Sequence, residues 1–427
     1  MGAFMSTERL RFLLNRFRER LWVKPLGVCV LSIAAVVLAG LADDTPLARV
    51  VPATAVESLE TLLSIMASSM LVIATFSVGS MVSAYNAASS TATPRSFGVV
   101  VADDVSQNAL STFIGAFIFS IVAITAVKND AFAAAGLFVL FVLTALVFAL
   151  VIFTFVRWVD RIARLGRMGS TIDKVEAATA EAMRQRRRAP TLGGVAADGA
   201  HDGTPVFAAR VGYVQQVDMA RLQRWAEETA RRVTVAALPG AFLFPGRALA
   251  HVAGPAEGVD SDEVAGAFAI GDQRLFDDDP RFGLVVLSEI AGRALSPGVN
   301  DPGTAIDVIG TLVRLFALWR APRPEDEHAL PLYDRVAVPE LAIDDMFDDA
   351  FTAIGRDGAG TVEVAVRLQK ALHSLAATGD VAMAEAARRH ARQALERARL
   401  RLELPADLAR VREAGAFAGP LAMRGAD

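Results

Sequence analysis

Charge is missing from four long runs in the first part of this sequence and returns, interleaved with apolar residues, after residue 157. About 20 apolar residues in a helix span a bilayer core of about 30 Å. On that measure the runs predict membrane-crossing helices at about 25–42, 57–84, 107–127 and 131–156. The longest run without Asp, Glu, Lys, Arg or His is 61–94, and it carries a second pattern. Ser64, Ser68, Thr75, Gly79 and Ser83 recur at helical steps of three or four, with Val72 in the missing place. They make a narrow stripe of small and hydroxyl side chains on a Met, Leu, Ile, Val and Phe helix. In lipid such a stripe either lets a neighbouring helix approach closely or lines a wet path.

The flanking charges orient these helices. Residues 1–24 read as a basic amphipathic helix, with Arg9, Arg11, Arg16, Arg18, Arg20 and Lys24 opposite Leu10, Leu13, Leu14, Phe17 and Leu21. Such a helix lies on a membrane surface. Positive residues crowd there and again from Arg157 to Arg188, whereas the short connections at 43–54 and 128–130 carry few. An even number of spans with both ends basic places both termini in the cytoplasm of a bacterial inner membrane. Glu57 and Glu60 then fall at the outer end of the second span. The polar, Pro-broken exit containing Asn86 and Arg95 falls at its inner end, as a capped helix exit or a cytoplasmic mouth.

Beyond the fourth span the pattern becomes that of a soluble α+β unit. Residues 157–205 predict a helical extension followed by a Gly-, Ala-, Pro- and Asp-rich linker from Arg186. Residues 206–404 predict a cytoplasmic domain. It opens with strand 206–217, a helix capped by Asp218, and short strands between the turns Pro239-Gly240 and Pro245-Gly246. Asp277 to Asp279 precede Pro280 as a helix start, and in that helix Glu289 and Arg293 stand four apart. Residues 320–339 read as a Pro-rich loop. Asp344, Asp345, Asp348 and Asp349 fall on one solvated helix face. The arginine-laced helix 381–404 reads as exposed or coiled-coil, and residues 405–427 as a loosely held tail.

Between two of these helices lies Ser296-Pro297-Gly298-Val299-Asn300-Asp301-Pro302-Gly303-Thr304. Asp301-Pro302 has the form of an N-cap followed by proline at the first helical position, and Ser296 is placed to accept from a local N–H. The spacing supports two uses: a tight helix–turn–helix, or a ligand or interface site where Ser296, Asn300, Asp301 and Thr304 meet at a helix N-terminus. The stretch "ALSPGVNDPGTA" (Ala294 to Ala305) resembles the signature of a bacterial family of predicted membrane proteins. Similar elements are "ASSTATPR" (Ala88 to Arg95), "GYVQQVD" (Gly212 to Asp218), "PGAFLFPGRALA" (Pro239 to Ala250) and "AFAIGDQR" (Ala267 to Arg274). The resemblance implies four N-terminal spans and a C-terminal soluble domain, and it implies no activity. This chain departs from the pattern in lacking an aromatic before the Ser-Pro-Arg-type exit and in placing Gly303 where a bulky residue is usual.

Composition narrows the chemistry. A net charge of −4 leaves no phosphate-neutralising excess for a nucleic-acid binder. The single cysteine, Cys29, excludes an intrachain disulfide or a Cys-based zinc site, and the His residues show no metal-ligand spacing. No nucleophile elbow, phosphate-binding loop or zinc motif marks an enzyme, and no cofactor is expected. The lipid bilayer and further copies of the chain are the expected partners. Two functions remain: a homo-oligomeric channel or passive transporter for small ions or solutes, and a membrane-anchored binding or scaffold protein.

Overall fold

A computed structural model describes residues 22–45, 52, 55–91, 93–96, 104–162, 168–197, 199, 203–321 and 331–419, with no side-chain description for 87–91. The basic N-terminal helix expected over 1–24 lies almost wholly outside the described residues. The chain forms two compact units, one made of Thr91–Ser96 with Thr171 onward, the other of the remaining described residues.

The second of these units is a helical bundle of α1 (Val23–Gly40), α2 (Val56–Thr91), α3 (Asp104–Lys128) and α4 (Ala134–Ile162). Two apolar layers fill it. Val36, Leu59, Leu63, Phe119 and Leu140 form one; Met66, Met70, Phe113, Val151 and Trp158 belong to the other. Phe76, Phe113 and Phe155 surround Trp158 with ring centroids 5.8 to 6.0 Å away. Asp43, which the sequence places in a plain loop, caps α4: its carboxylate accepts from the Ala133 N–H (2.8 Å) and the Gly136 N–H (2.7 Å).

The α+β unit begins with α5 (Met168–Arg188). Two sheets follow, built from β1 (Gly194–Ala196), β2 (Thr204–Phe207), β3 (Gly212–Val217), β4 (Val233–Val235), β5 (Phe242–Leu243), β6 (Ala248–Val252), β7 (Phe268–Gly271) and β8 (Tyr333–Val338). The larger sheet runs β1-β8-β4-β6-β2 and the smaller β5-β3-β7. Helices α6 (Met219–Glu228) and α7 (Ser261–Ala265) accompany them, with Leu222, Trp225, Ala226 and Val264 in a core shared with Val233, Val252 and Val336. The helical part comprises α8 (Pro280–Ala294), α9 (Pro302–Arg320), α10 (Ile343–Asp357), α11 (Val362–Ala376), α12 (Val381–Arg401) and α13 (Pro405–Ala414). Phe316, Phe347 and Phe351 pack at its centre, with centroids 4.5 to 5.6 Å apart.

Several sequence expectations are corrected. The strand expected over 206–217 is two strands in different sheets, because the chain leaves β2 at Phe207 and re-enters at Gly212. The expected linker from Arg186 is partly built into the fold. α5 runs to Arg188, a left-handed pair (Leu192, φ 54°; Gly193, φ 82°) turns the chain, and Gly194 is buried in β1. The loop expected over 320–339 supplies β8, which pairs with β1 and β4 in parallel. The arginine-laced α12 is not free, since its alanine face (Ala386, Ala387, Ala391, Ala398) and His390 are buried. Residues 405–414, expected in the tail, form a helix that buries Val411. Among the described residues five helices, α1 to α4 and α9, are long and apolar enough to cross a membrane, so length and composition alone do not return four.

Candidate functional site

The stripe on α2 has a definite placement. Ser64, Ser68, Thr75, Gly79 and Ser83 are all exposed, while Leu59, Leu63, Met66, Met70, Ala74 and Met81 of the same helix are buried in the bundle. A Cβ added to Gly79 would meet nothing within 4 Å. Among the described residues the stripe is thus exposed rather than packed against another helix of its own chain. The Ser68 hydroxyl donates to the Ser64 carbonyl (3.0 Å) and the Thr75 hydroxyl to the Leu71 carbonyl (2.9 Å). Each proton is thus satisfied by the helix itself, and the oxygen lone pairs stay available on the exposed side. At the N-terminal end of α2, Glu57 is exposed and Glu60 half-buried, and Glu57, Ser58, Thr61, Leu62 and Ile65 line a shallow open depression.

The residues expected at the helix exit behave differently. Asn86 is exposed on α2, whereas Arg95 is committed to an ion pair with Glu289 of α8. The Thr93 hydroxyl donates to the other oxygen of the same carboxylate (3.0 Å). Thr93 and Ser96 are buried, and the Ser96 hydroxyl donates to the Thr93 carbonyl (2.7 Å). Glu289 therefore does not pair with Arg293 along its own helix; it receives both donors of the Thr93–Arg95 segment. The hydrogen bond that Arg95 donates to Glu289 is the chief cause that raises the Arg95 pKa, with Tyr213 adding a smaller contribution. Sequence reasoning misses this clasp because its partners stand 194 to 196 residues apart. The one available signal is that both partners adjoin signature stretches, "ASSTATPR" and "ALSPGVNDPGTA".

In the signature loop the hydrogen bonds close on themselves. Asp301 caps α9, accepting from the Thr304 N–H (3.1 Å) and the Thr304 hydroxyl (2.6 Å). Those bonds from Thr304 hold the Asp301 carboxyl below the usual carboxylate range. The Asp301 N–H donates to the Ala294 carbonyl (2.8 Å) and the Asn300 N–H to the Ser296 carbonyl (2.9 Å). Ser296 accepts from local N–H groups through its carbonyl, while its hydroxyl donates to the Arg293 carbonyl (2.6 Å). Asn300 is exposed in a left-handed conformation (φ 51°), apart from the Asp301–Thr304 pair. The structure thus joins Asp301 with Thr304 and does not bring all four residues to one point.

Several other charged groups of the unit are paired across elements. The Arg281 guanidinium binds Asp345 and Asp349 (2.6 Å each), and Arg389 binds Asp344 (2.8 Å), so the acidic face of α10, on which Asp344, Asp345 and Asp348 are exposed as expected, is also bridged to α8 and α12. Burial pushes the Asp349 carboxyl up, against the pull of Arg281. Arg314 of α9 grips Glu176 of α5 through two bonds (2.7 and 2.6 Å). Arg186 contrasts with them: it is buried, and its Nε, Nη1 and Nη2 have no hydrogen-bond partner. Desolvation lowers its pKa to about 10, against the attraction of Asp278 and Asp279. Among the described residues no group of three or more His, Cys, Asp or Glu is placed to hold a metal ion.

An apolar helical bundle joined to a soluble α+β unit defines the class as a membrane protein with an extramembrane domain. Residues 18–374 match the family described as "Predicted membrane protein (DUF2254)", and the chain belongs to that family. It is similar to "Uncharacterized protein MT1328" of Mycobacterium tuberculosis (strain CDC 1551 / Oshkosh), at 32% identity over 114 residues, covering 25% of this chain and 22% of the relative. It is also similar to "Uncharacterized protein Mb1321c" of Mycobacterium bovis and "Uncharacterized protein Rv1290c" of Mycobacterium tuberculosis (strain ATCC 25618 / H37Rv). Each is 34% identical over 131 residues, covering 25% of this chain and 22% of the relative. The chain thus matches about a fifth of the length of these curated relatives. No solved structure matches.

Proposed function

We propose that the chain is an inner-membrane homo-oligomer that forms a passive path for small ions or solutes, with the α+β unit as a cytoplasmic regulatory domain. In this reading α1 to α4 cross the bilayer and both termini are cytoplasmic. The fifth apolar helix, α9, belongs to the soluble core: it is the least apolar of the five, and Val308, Ile309, Leu312 and Phe316 are buried. The observation that carries the proposal is the exposure of all five stripe residues on the side of α2 that its own bundle leaves open. One bundle cannot enclose a hydrophilic path with an outward-facing stripe, so several copies would surround it with their α2 helices. Outward lone pairs on Ser68 and Thr75 would face permeating cations or water. The clasp of Thr93 and Arg95 on Glu289 offers the regulatory link, because it ties the residues just beyond α2 to the α+β unit.

A second reading, a membrane-anchored binding protein without transport, has its own support. Hydroxyls already bonded to their own helix carbonyls sit in lipid at little cost, so the stripe does not require a wet path. Liposome flux separates the two. A path predicts a salt-driven leak in proteoliposomes that Ser68→Leu or Gly79→Leu changes without lowering the thermal stability of the chain. If proteoliposomes leak no more than empty vesicles, the channel reading fails and the anchored binding protein stands. Neither reading assigns a catalytic residue.

A further inference from the structure

The loop between the two Pro-Gly turns carries an aromatic face that the fold leaves uncovered. β3 and β5 are antiparallel, with Gly212 opposite Leu243 and Tyr213 opposite Phe242. Continuing that register by one residue sets Val211 opposite Phe244. Side chains alternate across a strand, so Tyr213, Phe242, Val211 and Phe244 share one side while Leu243 and Val214 point to the other. Burial agrees with the alternation: Leu243 and Val214 are each 1% exposed, whereas Phe242 is 42%, Val211 53% and Phe244 53% exposed. The Tyr213 and Phe242 rings lie 5.0 Å apart. Scattered single apolar residues on a surface need no explanation, but aromatic and aliphatic side chains grouped on one face do.

The face is firmly built. The Gly240 N–H donates to the Val214 carbonyl (2.8 Å) and the Val214 N–H to the Ala241 carbonyl (3.0 Å). Gly240 is left-handed (φ 92°), and a Cβ there would come within 2.2 Å of Asp279, so only glycine permits this turn. Arg247 donates from Nη1 to the Phe242 carbonyl (2.8 Å), which holds a cation beside the aromatic tip. Arg210 precedes Val211 and is exposed, pairing with the still more exposed Asp272. Aromatic side chains rimmed by arginine, in a membrane protein, have the chemistry of the bilayer's headgroup region.

We infer that Val211, Tyr213, Phe242 and Phe244 form a membrane-docking face through which the α+β unit rests on the lipid surface, with Arg210 and Arg247 toward anionic headgroups. This rests on the chain's being a membrane protein and not on any transport activity. The test uses the full-length protein in nanodiscs containing phosphatidylglycerol, with Cys29→Ala as background. An environment-sensitive fluorophore is placed on Phe244→Cys and, for comparison, on Leu400→Cys, a site in the same unit that is 83% exposed. Brominated lipids should quench the label at 244 several-fold more than the label at 400. Equal quenching at the two sites would overturn the inference. So would a label at 244 that lipid does not quench but that reports close approach to the same label on a second copy, which would make the face a protein–protein contact. A lipid-borne photolabel on the unsubstituted protein provides a check that needs no variant. It should mark the peptide ending at Arg247 in preference to the peptide containing Leu400, and the reverse preference would overturn the inference as well.

Discussion

Replacing Arg186 with methionine is expected to stabilise this protein, although it removes a charged side chain. Arg186 is 3% exposed, and none of its guanidinium nitrogens has a hydrogen-bond partner. At about 1.4 kcal/mol for each tenfold change in proton affinity, the fall from the ordinary arginine value to about 10 sets roughly 3 kcal/mol against the charged form. Asp278 and Asp279 offset part of the desolvation but do not depend on Arg186. Gln185 donates to Asp278 (3.2 Å), and Arg274 binds Asp279 through two bonds (2.7 and 3.0 Å). Methionine keeps the length and apolar stem while removing the unpaired charge, and such replacements gain about 1–4 kcal/mol. For a domain of this size that corresponds to a Tm rise of roughly 2–4 °C per kcal/mol.

The pH dependence has a definite sign. Because the folded-state pKa lies below the unfolded one, the unfolded chain binds the extra proton between about pH 10 and the ordinary arginine value. Stability linked to Arg186 therefore rises with pH across that window, and the full penalty is present at neutral pH. The gain from Arg186→Met should accordingly be constant between about pH 6 and pH 8. Thermal unfolding of the detergent-solubilised full chain, followed by intrinsic tryptophan fluorescence, measures it. A fall in Tm of similar size would refute the reasoning, because it would show that the guanidinium holds a group the fold requires.

The other substitutions act through particular contacts. A Cβ at Gly283 would lie 1.9 Å from Thr179 Oγ1, so Gly283→Ala should destabilise by about 1–3 kcal/mol, with partial rescue by Thr179→Ala in a double-mutant cycle. Gly136→Ala meets Asp43 Oδ2 at 2.5 Å and should lower Tm by breaking the cap on α4; Asp43→Ala should lower it by the loss of about 1 kcal/mol typical of an N-cap. Asp301→Ala should cost a similar amount. Because the Asp301 pKa is depressed, its contribution is present at neutral pH and lost as pH falls through the carboxylate range, so Asp301→Ala should unfold with a weaker acid dependence than the parent. Glu289→Gln should change global stability by no more than about 1 kcal/mol, since the Arg95 partner is largely exposed, yet it should speed hydrogen exchange at Thr93 to Ser96.

Legibility follows the range over which each interaction acts. Helix starts are local, and Asp218, Asp279 and Asp301 cap helices where an acidic residue meets the first turn, twice followed by proline. The apolar helices are local in the same sense, because sustained absence of charge is a property of one segment. Strand assignments held less well, since β1 pairs only with β8 and β8 lies between β1 and β4, parallel to both, so each depends on partners distant in sequence. The acidic face of α10 is solvated as its pattern suggests, but nothing in one dimension announces that Arg281 and Arg389 will meet it.

The sequence by itself determined which segments are apolar enough for lipid, where the main helices begin, and that five small residues line one side of α2. Tertiary structure decided which way that side faces, that Arg95 reaches Glu289 rather than standing free, and that Arg186 is sealed away from partners. The physical reason is that propensity and capping are settled within a few residues, whereas burial, pairing and exposure depend on chain segments far apart in sequence arriving at the same place.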